Sequence, residues 1–162
     1  MKMTQILVSM GAMALLGAGA MAQDADEDTP FAEELVNLPG MYSGNYFCTG
    51  SGEHGLTLSV DALGERMEDG GYPVTATLWF YPVLANPDGP KGAFRMEGSL
   101  ASDFALNLTP TTWIEEPSNY GAAEIDGDFH PFDDQITGVP AGAGAKATGC
   151  KALLLTRLST GE

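Results

Sequence analysis

From Tyr42 onward, apolar and polar residues alternate along most of the chain. Tyr42, Tyr46 and Cys48 alternate with Ser43, Asn45 and Phe47, and Gly44 and Gly50 punctuate the run. Leu56, Leu58 and Val60 alternate with Thr57 and Ser59. Pro73 to Tyr81 is rich in β-branched and aromatic residues. Phe94 and Met96 alternate with Arg95 and Glu97, and Phe104, Leu106 and Leu108 with Ala105, Asn107 and Thr109. Ile125 and Phe129 lie in a Gly/Asp-rich run, Gln135 to Val139 is a short piece, and Ala152 to Leu158 closes the pattern. A period of two in short pieces marks half-buried strands. The breaks carry turn chemistry: Asp69-Gly70-Gly71, Asn86-Pro87-Asp88-Gly89-Pro90, Glu116-Pro117-Ser118-Asn119 and Asp126-Gly127. Only 61–69 and the stretch before Pro39 could hold a helical turn, with Phe31, Leu35, Val36 and Leu38 supplying the apolar face of the second. The expected fold is all-β, a single small antiparallel β-barrel or β-sandwich of about seven to nine short strands.

The first 22 residues have a different pattern. Lys2 gives a positive start, Ile6 to Leu16 is apolar, and Ala20-Met21-Ala22 places small residues before Gln23. That is the layout of a secretory signal peptide cleaved after Ala22. The apolar run is shorter than the roughly 20 residues that a spanning helix requires. The sequence therefore divides into a signal peptide (1–22), an acidic lead-in (23–39) and one β domain (40–162). The expected location is the bacterial periplasm or the exterior, with no membrane span after cleavage. Gly138 to Gly149, rich in Gly and Ala, is expected to be a loop before the last strand.

Export changes the reading of the two cysteines. In an oxidising compartment, Cys48 and Cys150 are expected to pair. The bridge would tie the first strand to the last and so favours a closed barrel over a sandwich. Neither cysteine has a second Cys or a His at metal-ligand spacing, and no metal site is assigned.

Charge narrows the partners. Of 162 residues, 22 are Asp or Glu and seven are Lys or Arg, for a net charge of −15. Lys2 leaves with the leader, which takes the net charge from −15 to −16. Such a chain cannot neutralise a phosphate track, so nucleic acid is excluded as a partner. A basic protein, from the envelope or foreign, suits this charge and would be steered toward it.

Little catalytic chemistry is visible. There is no Gly-x-Ser-x-Gly elbow and no Gly-rich phosphate cradle before a helix. His54, in Gly52-Glu53-His54-Gly55, and His130, in Asp128-Phe129-His130-Pro131, are both expected to be exposed loop residues. The acidic run Asp126 to Asp134 fails as an EF-hand loop, because positions 5, 6 and 12 are His130, Pro131 and Thr137. A looser calcium site there is the weaker alternative to a solvated hairpin. The most distinctive segment is Trp113-Ile114-Glu115-Glu116-Pro117-Ser118-Asn119-Tyr120. Aromatics beside carboxylates suit a cationic protein or a sugar ring, which makes Trp113, Glu115, Glu116 and Tyr120 the candidate binding residues. The alternative is that Trp113 packs in the core and Tyr120 anchors a turn. Neighbouring carboxylates on a strand point to opposite faces, so Glu115 and Glu116 cannot flank one bond as acid and base.

The leader, Tyr46-Phe47-Cys48, the strand Leu56-Thr57-Leu58-Ser59-Val60 and the late Cys150 resemble the small disulfide-closed β-barrel modules of the periplasmic c-type lysozyme inhibitors. The resemblance implies an exported barrel that binds a basic enzyme. That family inserts a Ser-Gly-x-x-Tyr loop into its target. The nearest match here, Ser43-Gly44-Asn45-Tyr46, is one residue short and lies on the first strand, so no inhibitory residue carries over. The expected function is a non-enzymatic, cofactor-free and monomeric barrel that binds a partner or ligand. A lysozyme-inhibitor-like protein is the narrower alternative, and a hydrolase using acidic residues the more distant one.

Overall fold

Alternation places every second side chain on one face, and closing the sheet makes that face an interior. The computed structural model describes residues 37–118, 120–142 and 149–158. The leader, the lead-in up to residue 36, its expected helical turn, and positions 143–148 of the Gly/Ala-rich segment lie outside the described residues.

Eight strands follow in chain order: β1 Gly40–Cys48, β2 Gly52–Leu63, β3 Tyr72–Tyr81, β4 Gly92–Leu100, β5 Ala105–Glu115, β6 Glu124–His130, β7 Gln135–Ala141 and β8 Cys150–Arg157. Each pairs antiparallel with the next, and β8 returns to β1 to close the barrel. Cys48 lies directly opposite Cys150 in the β1–β8 register, and the two form a disulfide across 102 residues of sequence. The all-β expectation, the closed barrel and the seam between first and last strands are all present. Segment 61–69 is not helical: Asp61 to Leu63 continue β2, and the residues after it form turns.

The interior is filled. Tyr42 and Tyr46 of β1, Leu56 and Leu58 of β2, Leu78 and Phe80 of β3, and Phe94 and Met96 of β4 are all buried, as are Leu106 and Leu108 of β5, Phe129 of β6, Ile136 of β7 and Leu155 of β8. Each such side chain contributes about 1.5–3 kcal/mol by leaving water.

Both barrel ends are stoppered. At the end with the β2–β3, β4–β5 and β6–β7 turns, Leu38 is fully buried and its carbonyl accepts a hydrogen bond from the Tyr42 hydroxyl at 2.8 Å. Arg157 lies over the Tyr42 ring at 4.8 Å and donates to Asp134 Oδ1 and the Pro39 carbonyl, each at 2.7 Å, and to the Asn37 carbonyl. The opposite end, which carries the disulfide, is closed by aromatic rings.

Candidate functional sites

The predicted binding segment is divided by the barrel wall. The β5–β6 ladder covers only Ala105–Leu108 against Ile125–Asp128, so the upper half of β5 stays paired with β4 alone. The connection after β5 turns Tyr120 inward, where it stacks on Phe80 with centroids 4.8 Å apart. Its hydroxyl shares a 2.8 Å hydrogen bond with that of Tyr46. Trp113 packs edge-on against Phe94 at 5.1 Å and Phe80 at 6.3 Å. Trp113 and Tyr120 are thus half-buried parts of the stopper. Glu115 and Glu116 remain exposed, and Glu115 pairs with Lys91 at 3.0 Å.

The stopper also holds a residue that the sequence reading misplaced. His54 is not an exposed hairpin tip. It lies in β2, faces Tyr46 across the β1–β2 ladder, and is 0% exposed. The turn is at Thr49–Ser51, just before it. The His54 and Tyr46 rings stack with centroids 5.1 Å apart. Burial pushes His54 below the ordinary histidine range, and a hydrogen bond to Ser51 opposes that shift. Burial also raises Tyr46 far above the usual phenol range, helped by its bond to Tyr120.

His54 Nε2 lies 3.0 Å from Ser51 Oγ, the spacing of a nucleophile and its base. In a catalytic triad the other ring nitrogen donates to a carboxylate. Here Nδ1 is buried with no hydrogen-bond partner among the described residues. The pair has no orienting acid, and it reads as a core histidine held by a turn serine.

His130 is likewise not a free loop residue. It ends β6, is half-buried, and its Nε2 lies 2.7 Å from Thr137 Oγ1. Beyond it, the 131–134 turn faces the 101–104 turn across a hollow of about 290 Å³. Asp103, Asp128 and Asp133 line it, together with Phe104 and Phe132. Phe132 is 81% exposed, although it is a large aromatic. Phe104 holds a left-handed backbone, φ 69°, and packs edge-on against Phe129. Among the described residues, no three or more His, Cys, Asp or Glu side chains are grouped closely enough to hold a metal ion, including along Asp126 to Asp134. The carboxylates line a hollow without converging on a point.

Ser43-Gly44-Asn45-Tyr46 lies within β1, paired to both β2 and β8, and is not a loop. No helix among the described residues is long and apolar enough to cross a membrane.

No family model matches the chain, and no curated protein matches it. Fold and site geometry therefore carry the functional argument.

Proposed function

We propose that this protein is an exported, non-enzymatic recognition module that binds a basic protein through the barrel end formed by the 101–104 and 131–134 turns. The observation that carries the reading is Phe132, held out in water at 81% exposure beside a hollow lined by Asp103, Asp128 and Asp133. An exposed aromatic at the centre of a patch is the usual anchor of a protein interface. Carboxylates around it supply steering and select a cationic partner. They are too dispersed to hold one ion together, which suits a protein surface with spread positive charge. The filled lumen supports the same reading, because recognition then falls to loops and outer faces. A c-type lysozyme, the class of target that the sequence resemblance suggests, fits this chemistry. Ser43 to Tyr46 would take no part, because they lie within β1.

The test is equilibrium binding of the oxidised mature chain to a basic c-type lysozyme and to an acidic protein of similar size. The expected result is binding to the basic protein only, weakened by salt and lost in Phe132→Ala. Equal affinity for both proteins, or an unchanged affinity in Phe132→Ala, would count against the reading.

A further inference from the structure

The outer face of β1–β3 carries exposed aromatic side chains: Phe47 on β1, and Trp79 and Tyr81 on β3. Trp79 and Tyr81 are two residues apart on β3, so their side chains leave the same side of the sheet. They are 38% and 36% exposed, although each is large enough to bury well over 150 Å². The Tyr81 ring lies flat over Gly55 of β2, where a Cβ atom would collide with it. Its hydroxyl is within hydrogen-bond distance of Ser43 Oγ at 3.4 Å and Thr57 Oγ1 at 3.3 Å. On the adjoining rung, Asn45 Nδ2 donates to Glu53 Oε1 at 2.9 Å. The rings, two hydroxyls, an amide and a carboxylate are thus fixed on strands, not on loops, and are ordered before any ligand arrives.

We propose that this face binds a neutral saccharide, with Trp79 and Tyr81 as stacking platforms and Asn45, Glu53, Ser43 and Thr57 as hydrogen-bonding partners. A sugar ring offers a C–H face to an aromatic plane and hydroxyls around its rim. Each hydroxyl both donates and accepts, which an amide, a carboxylate and hydroxyl side chains can match. Two carboxylates border the rings: Glu53 accepts from Asn45 Nδ2 at 2.9 Å, and Asp61 accepts from Ser59 Oγ at 3.2 Å and from Thr77 Oγ1 at 3.5 Å. The site lies on the barrel wall and is independent of the 101–104 and 131–134 end.

The experiment is an NMR titration of the oxidised mature chain with three neutral trisaccharides: β-linked N-acetylglucosamine, β-linked glucose and α-linked glucose. Trp113, half-buried in the aromatic stopper, serves as the internal reference for Trp79, since the chain has two tryptophans. At millimolar ligand, typical of weak single-site binding, at least one sugar should shift the Trp79 indole and the amides of Asn45, Gly55 and Tyr81 and leave Trp113 in place. Trp79→Ala and Tyr81→Ala should each weaken binding about tenfold, and Gly55→Ala should do the same by displacing the ring that it supports. Val139→Ser, an exposed change on β7, should leave binding intact. If Trp79→Ala fails to fold, the wild-type shift map alone decides. Absence of shifts with all three sugars overturns the proposal, as do shifts confined to other faces or shifts of this face with a basic protein only.

Discussion

Tyr46 and His54 face each other across β1 and β2 with their rings stacked 5.1 Å apart, inside the barrel end that carries the disulfide. This pairing joins the first hairpin to the rest of the fold, since Tyr46 also holds Tyr120 and Tyr120 stacks on Phe80. It also buries a titratable ring.

That burial makes stability depend on pH. His54 is held below its ordinary value of 6.5 in the folded chain, so below that pH the unfolded chain binds a proton that the folded chain refuses. The stability it contributes is present above pH 6.5 and lost as the pH falls toward the folded-state value. His54→Gln should remove this dependence. Urea midpoints at pH 7.5 and 5.5 check it: the wild type should lose more stability than the variant over that interval. Equal losses would refute the assignment.

The Tyr46–Tyr120 bond should be worth about 1–3 kcal/mol when one partner is left buried and unpaired. Tyr46→Phe and Tyr120→Phe should each lower stability by that order. The double variant should lose less than the sum, because the second change finds no bond to break. Chemical unfolding of the four proteins gives the answer.

The Cys48–Cys150 bridge closes a loop of about 100 residues. The chain-entropy model assigns such a loop roughly 4.7 kcal/mol. Cys48→Ala with Cys150→Ala, or reduction of the wild type, should lower the melting temperature sharply. Equal melting temperatures for the oxidised and reduced forms would show that the seam is not needed.

Arg157 binds the chain entry through the Asn37 and Pro39 carbonyls and the 131–134 turn through Asp134. Arg157→Met keeps the packing on Tyr42 and removes these bonds. It should destabilise by about 1–3 kcal/mol, as expected for hydrogen bonds to a charged group. Cleavage near residues 37–39 under limited proteolysis should also become faster. An unchanged digestion pattern would mean that the entry is held by other contacts.

Much of the fold was legible because its cause is local. Period-two alternation at Leu56-Leu58-Val60 and Leu106-Leu108 reports directly which side chains face inward. The cysteine seam followed from the compartment implied by the leader. His54 was misread because Gly52 and Gly55 suggest a turn around it, whereas it shares the parity of Leu56, Leu58 and Val60; that parity places it inside. The same rule applied to Leu78 and Phe80 puts Trp79 and Tyr81 outside. Trp113 and Tyr120 could not be placed by parity. The register shift between Ala93 and Phe94 and the short β5–β6 ladder decide their direction, and both are tertiary features. The meeting of Asp103 with Asp128 and Asp133 beside Phe132 depends on the β5–β6 register, which sets Ala105 opposite Asp128 and brings the two turns together.

The end around Phe132 is the proposed dock for a cationic protein. An amide shift map of the oxidised chain from Gln23 to Glu162, titrated with a basic c-type lysozyme at low and high salt, tests it. The expected map is confined to residues 101–104 and 128–134 and collapses as salt screens the carboxylates. A map centred on Glu115 and Glu116, or no shifts at low salt, would contradict it.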